Sequence, residues 1–282
     1  MASIIVLLSE GILSLYPILI KTVPTNLVTQ WFARFLTFPL LAYLIAPKDT
    51  PAWSSTTVLA GLLNLLHIGT SYISFSLLPA GIALSLFYSY PLFNVIAGSI
   101  FFNEPITVFS IALLLIASVG VYLLSMKPSE AEAEAEEPNS DSTYTIGVIC
   151  ALLAALTETL LYVFVRWNKQ AAASPFYTIL QLYPVGLLAI VLSLAVKPTM
   201  LDLNPRHLLY LFGFNATIGF IGYASRFYAI PKVPTLVFSL LSFVGVLFGY
   251  LWGHLFTADK THPIAWLGSA LIVFSAFVVR YT

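Results

Sequence analysis

The sequence predicts an all-α integral membrane protein of ten transmembrane helices, arranged as two inverted five-helix repeats. Three observations predict it. The 282 residues are 59% hydrophobic and only 9% charged, with a mean hydropathy of +0.93. A soluble domain carries roughly 25% charged residues, so this chain could not coat itself for water. Apolar runs long enough to cross a bilayer recur along the whole length. The second half also repeats motifs of the first around an odd number of spans, which turns the second copy upside down.

About 20 apolar residues cross the ~30 Å of hydrocarbon, and breaks at Pro, Gly and charges place the spans in order. The first, 3–20, holds Glu10 within LLSEGILSLYPILIK. It has no basic leader and a carboxylate interrupts its apolar stretch, so it reads as a retained span and not a signal peptide. The next four fall at 26–46, 56–78, 81–102 and 106–126. Residues 127–143, KPSEAEAEAEEPNSDST, contain Pro and lack large apolar side chains. They are expected to form a solvated, disordered linker between a first repeat at 1–126 and a second at 144–282. Five more spans follow at 145–165, 175–196, 206–229, 234–256 and 263–280.

The formal net charge is zero, yet six of the twelve acids (Glu130, Glu132, Glu134, Glu136, Glu137, Asp141) lie in that linker. The twelve bases then face six acids elsewhere, but they form no patch suited to nucleic acid. The single Cys150 excludes an intramolecular disulfide. Five bases fall on each side of the predicted bundle, so the positive-inside rule gives no orientation.

The repeat is visible residue by residue. In the fourth and ninth spans Pro79, Leu86, Phe93, Gly98 and Phe101 fall on Pro234, Leu241, Phe248, Gly253 and Phe256, with Glu104 opposite Asp259. In the third and eighth, Gly61 falls on Gly213 and Phe75 on Phe227; in the second and seventh, Pro39 falls on Pro184. In the first and sixth, Glu10 falls on Glu158 and Lys21 on Lys169. Inverted repeats of this kind are the architecture of secondary transporters, whose binding site lies at the repeat interface near the midplane.

Glu10 and Glu158 are the leading candidates for chemistry. An acid at the bilayer centre costs roughly 2.5–3.5 kcal/mol on insertion scales, so such residues face a cavity or a partner. The functional reading is a proton-coupling or cation-binding pair, and the plain one is packing through hydrogen bonds. Asn64, His67, Ser71 and Ser74 form one face of the third span, and Asn215, Gly219, Tyr223 and Arg226 one face of the eighth. These stripes are expected to turn inward, with His67, Tyr223 and Arg226 lining a cavity. Arg34 reads equally as a counter-charge for either Glu and as a snorkelling or gating residue. Lys21 and Lys169 are expected to snorkel, and Glu104 and Asp259 to act at helix boundaries or gates. Tyr88 and Tyr90, beside Pro91, offer stacking surfaces. Pro17, Pro39, Pro91 and Pro184 permit kinks. Gly245, Gly249 and Gly253 provide a smooth face for close packing inside the bundle, leaving a monomer or weak homodimer as the expected state.

ARFLTFPLLA (33–42) resembles the second-span Arg-Phe motif of the drug/metabolite transporter superfamily, in its EamA-like branch. SLLPAGIALSLFYSYPLFNVIAGSIFFNEPIT (76–107) resembles its fourth-span signature, which ends in an acidic residue, here Glu104. The resemblance implies ten helices, both termini cytosolic, and alternating access around a central cavity. The second half departs from it: Gln181 and its neighbours stand where an Arg would recur, and Asp259 replaces the usual Glu. The Lys-Arg pair that sugar-phosphate translocators of the superfamily carry in the ninth span is absent, which counts against a nucleotide-sugar or sugar-phosphate antiporter.

The expected function is secondary transport or exchange of a small polar or amphipathic metabolite, with protons as the coupling ion in the functional reading of the Glu pair. A membrane-embedded enzyme using Glu10, Glu158 and His67, or a non-transporting scaffold, are the competing classes. No HExxH, paired-cysteine or GxxxxGKS motif occurs, so neither a metal nor another cofactor is called for, nor an ATPase engine within this chain. The expected setting is a lipid bilayer, as a multi-pass protein of the plasma membrane or an organelle.

Overall fold

The computed structural model describes residues 1–46, 54–78, 80–125, 141–257 and 264–278. Asp259 and residues 127–140 of the acidic linker lie outside them. Within them the chain is helical, and the elements fall where the apolar runs were. Eight segments are long and apolar enough to span: Ala2–Thr22, Leu27–Ile45, Ser55–Leu77, Ala83–Phe102, Ser142–Trp167, Pro175–Val196, Pro205–Lys232 and Thr235–Phe256. Shorter apolar helices, Val108–Leu123 and Trp266–Val278, stand in the places of the fifth and tenth. The outer surface is a belt of Leu, Ile, Val, Phe and Trp such as Val108, Val196 and Trp266. A water-facing monomer would not tolerate apolar area of that extent, whereas lipid requires it.

Packing follows the inverted repeat. The third span lies on the sixth and the eighth on the first; the fourth touches the sixth and the ninth touches the first. Exchanging the halves turns each of these pairs into the other. The fourth–ninth and fifth–tenth pairs map onto themselves, and both are present. Gly245 and Gly249 face Tyr88 and Leu84 of the fourth span, so the glycine face of the ninth span packs within the bundle.

Several spans break near their middles. The first divides into Ala2–Leu13 and Tyr16–Thr22 just before Pro17, and the fourth into Ala80–Phe87 and Tyr90–Phe102 just before Pro91. The seventh divides at Tyr183, just before Pro184. Proline lacks the N–H that the helix would donate four residues back, so each break needs other partners. Asn64 donates its amide to the carbonyl of Leu182 at 3.2 Å, closing the seventh-span break. Pro39 stays inside an unbroken helix. The ninth span divides at Phe243 with no proline, at the repeat position of Tyr88. A π-helical turn, Asn215–Gly219, interrupts the eighth. The breaks of the first and fourth spans line a central cavity, where backbone out of helical register is tolerated in a membrane.

Candidate functional site

Six spans deliver polar side chains to one buried cluster. Glu10 comes from the first, His67 from the third, Tyr88 and Tyr90 from the fourth, Glu158 from the sixth, Arg226 from the eighth and Ser242 from the ninth. Arg226 lies between the two carboxylates, with Nη1 on Glu10 Oε1 and Nη2 2.5 Å from Glu158 Oε1. The hydroxyls of Ser242, Tyr88 and Tyr90 donate to Glu10 at 3.2, 3.3 and 3.5 Å. The guanidinium also sits 5.2 Å from the ring centres of Tyr90 and Phe238. A buried charge survives only when paired and hydrogen-bonded, and this cluster meets both conditions.

One cation between two carboxylates leaves a charge to balance, and His67 addresses it. Its Nδ1 lies 3.1 Å from the carbonyl of Ala154 and 3.3 Å from Thr157 Oγ1. The Thr157 proton is engaged by the carbonyl of Leu153 at 2.7 Å. A carbonyl only accepts, so Nδ1 carries a hydrogen. Nε2 then faces Glu158 Oε2 at 3.2 Å. Two lone pairs cannot meet at that separation without a proton between them. A proton at this contact, on the imidazole or on the carboxyl, would join the two groups.

A second cation stands apart. Arg34 is enclosed by aromatic rings, with Tyr223 at 4.4 Å, Tyr16 at 4.6 Å, Phe38 at 5.5 Å, Tyr72 at 5.8 Å and Tyr183 at 6.0 Å from its guanidinium carbon. Its Nη2 donates to the hydroxyl of Tyr183 at 3.2 Å. Among the described residues it makes no ion pair, and its Nε has no acceptor. Tyr16 in turn donates to Asn215 Oδ1 at 2.9 Å, which fixes the cage against the π-helical turn.

The two cationic centres line one cavity. Its walls include Ser14, Pro17, Ser71, Phe75, Leu84, Phe87 and Tyr88 besides Glu10, Arg34, His67, Glu158, Tyr223 and Arg226. Successive spans alternate direction, so the stretches Leu13–Pro17, Ser71–Phe75 and Leu84–Tyr88 belong to the half of the bundle away from the N-terminus.

On the N-terminal side a latch of polar contacts ties the ends of three spans together. Asn103 adopts left-handed backbone, φ 54°, which ends the fourth span and turns Glu104 inward. Glu104 pairs with Arg166 at the end of the sixth span and accepts from the backbone N–H of Thr235 at 3.0 Å. That N–H is an orphan donor at the start of the ninth span, where the helix dipole also favours a carboxylate. Tyr162 donates to Thr235 Oγ1 at 3.0 Å, and Arg166 reaches both Tyr162 and Thr235. Burial pushes the Glu104 carboxyl up, but hydrogen bonds from Arg166 and Thr235, together with the Arg166 charge, hold it below its ordinary value.

Three stripes join the latch to the central cluster: Tyr90, Asn94 and Gly98; Glu158, Tyr162 and Arg166; Ser242, Ser239 and Thr235. Asn94 and Ser239 are fully buried between the two, and neither the Asn94 amide nor the Ser239 hydroxyl has a hydrogen-bond partner.

Of the residues singled out from sequence, Glu10, Glu158, His67, Ser71, Tyr88, Tyr223, Arg226 and Arg34 meet at the cavity. Asn64 and Asn215 are buried behind it and hold backbone and Tyr16 in place. The counter-charge to both Glu residues is Arg226, not Arg34. Glu104 sits at the latch, and Asp259 is outside the described residues. Ser242, Arg166 and Thr235 escaped the sequence reading. For Arg166 a signal existed, since it lies eight residues after Glu158 on one helix face. For Ser242 none did, its repeat position being Phe87.

Apolar spans in two inverted halves around a charged cavity define a multi-pass membrane protein. Residues 145–281 match the model of the EamA-like transporter family. A WAT1-related protein of Arabidopsis thaliana, described as chloroplastic, is 22% identical over 266 residues, covering 93% of this chain and 61% of the relative. The chain thus spans about six-tenths of the length of that curated relative. A solved crystal structure superposes over 99% of this chain and 98% of its own, with a TM-score of 0.74 at 15% identity, a likeness of fold alone.

Proposed function

We propose that the protein is a secondary transporter or exchanger of a small solute, working by alternating access and coupled to protons at the central cluster. The observation that carries this reading is the bridge from Glu10 of one half through Arg226 to Glu158 of the other, on the wall of a cavity. A group that ties both halves together at the midplane holds them in one arrangement, and changing its charge favours another. A proton at the His67–Glu158 contact supplies that change. While it is held, one Arg, one His and two carboxylates balance; once it leaves, the cluster carries one net negative charge.

In this reading the solute enters from the side away from the N-terminus and leaves through the fourth, sixth and ninth spans. Asn94 and Ser239 line the exit and acquire water or solute partners when the Glu104–Arg166 latch parts. The test is uptake by purified protein in liposomes under an imposed pH gradient. Wild type should accumulate solute with the gradient. Glu158→Gln should preserve packing and exchange of solute while abolishing gradient-driven accumulation. Accumulation that persists in both Glu158→Gln and Glu10→Gln would overturn the coupling.

A further inference from the structure

We propose that the cavity takes a small monocarboxylate with an apolar body, and that Arg34, assisted by the hydroxyl of Tyr72, receives the carboxylate. The proposal names the solute class for the transporter reading and rests on that reading.

Arg34 and Tyr72 are 2% and 1% exposed, and both line the cavity. The aromatic cage holds the guanidinium by its faces, yet rings add no negative charge. The Tyr183 hydroxyl accepts from Arg34 Nη2 at 3.2 Å and the Tyr72 hydroxyl lies beside it, but the Arg34 Nε has no acceptor. The O–H of Tyr72 has no acceptor of its own. A buried charged donor without an acceptor is costly, and apolar packing could have replaced it. Both carboxylates of the cavity are already taken by Arg226, so the missing acceptor must come with the ligand.

Charge and shape narrow that ligand. With the proton held at His67–Glu158 the central cluster is neutral and Arg34 leaves the cavity at +1, which one negative charge cancels. Phosphate, at about −1.5 to −2 near neutral pH, overshoots. A planar carboxylate matches the flat edge of a guanidinium with two parallel hydrogen bonds, and Tyr72 adds a third donor. An amine would be repelled by Arg34, and an amide would leave its charge uncompensated. Phe75, Leu84, Phe87 and the ring of Tyr223 supply the wall for the apolar body.

The test measures binding by the purified full-length chain, by calorimetry, of phenylacetate, benzoate and hexanoate. Their amides, phenethylamine, inorganic phosphate and dodecanoate serve as comparisons. The carboxylates should bind more tightly than their amides by about 10- to 100-fold, the value of a hydrogen bond to a charged group. Arg34→Gln should erase that preference. Tyr72→Phe keeps the ring and should weaken carboxylate binding at least about threefold without changing amide binding. If Arg34→Gln misfolds, the Tyr72→Phe comparison decides. Equal binding of acid and amide, best binding of the amine or phosphate, preference for dodecanoate as a membrane fatty acid, or no binding of any small carboxylate would each overturn the proposal. Liposome uptake of labelled phenylacetate separates the two readings. Binding without flux leaves the carboxylate site standing and removes transport; flux of amines or neutral solutes without carboxylate binding does the reverse.

Discussion

Arg226 is the residue on which the two halves meet, and removing it leaves two carboxylates facing each other in a buried space. Breaking a buried ion pair from one side costs about 3–5 kcal/mol, because the remaining charge keeps its desolvation and loses its partner. Arg226→Gln should therefore lower the thermal midpoint in detergent by many degrees, and adding Glu10→Gln should recover part of the loss. A double variant no more stable than the single one would show that the bridge is not what holds this region. Gly245 gives a gentler probe, since a Cβ there would strike the hydroxyl of Tyr88 and come 3.1 Å from Glu10 Oε2. Overpacking of this kind costs about 1–3 kcal/mol. Gly245→Ala should leave the protein folded and impair gradient-driven uptake, read as reduced initial rate in liposomes. At this scale the sequence disclosed part of the site. The Glu pair stood out through the repeat, and Arg226 through a polar stripe at helical spacing. That Arg226 touches both acids, and that Arg34 touches neither, depends on how six spans converge, which no spacing along the chain encodes.

At the scale of elements, ten apolar runs were legible because each must cover the bilayer, and their ends agree with the helices within a few residues. The breaks before Pro17, Pro91 and Pro184 were legible because proline removes a donor. Those at Phe243 and in the π-helical turn were not, since tertiary packing and not residue type dictates them. The latch joins the ends of the fourth and sixth spans to the start of the ninth, so its loss should free the exit route. In a Cys150→Ser background, cysteine at Asn94 should resist a membrane-impermeant maleimide from the N-terminal side. Arg166→Ala should raise its labelling at least about fivefold, within the usual range of a coupling energy. Unchanged labelling would remove Asn94 from the route. The latch also carries a pH sign. Because the Glu104 carboxyl is held below its ordinary 4.5, its stabilisation is fully present above that value and lost as pH falls through the lower folded value. Glu104→Gln, which removes that charge at every pH, should accordingly raise labelling of Asn94→Cys at neutral pH, where a maleimide finds thiolate to react with.

Across the whole molecule the inverted symmetry is imperfect, and the imperfection has a direction. Exchange of the halves carries Glu104 to Asp259, but Arg166 to Ile18 and Thr235 to Ala80. The repeat positions of Arg166 and Thr235 thus hold an isoleucine and an alanine, so the cation and the hydroxyl of the latch do not recur in the sequence. In the proposed alternating access, two arrangements related by the repeat would be equal in energy if the halves were identical, and the latch would tip the balance toward closure on the N-terminal side. A partly exposed ion pair is worth about 0.2–1 kcal/mol, with the capping of the Thr235 N–H adding a comparable amount. Together these shift the two populations by roughly two- to thirtyfold, enough to bias a resting state and small enough for a bound solute to reverse. Cysteine at Ser71, on the cavity wall, should therefore label from the side away from the N-terminus in wild-type background. Ile18→Arg, which places an arginine at the repeat position of Arg166, should reduce that labelling severalfold and raise labelling at Asn94 from the other face. If Ser71→Cys and Asn94→Cys respond in the same direction to Ile18→Arg, the two routes do not alternate.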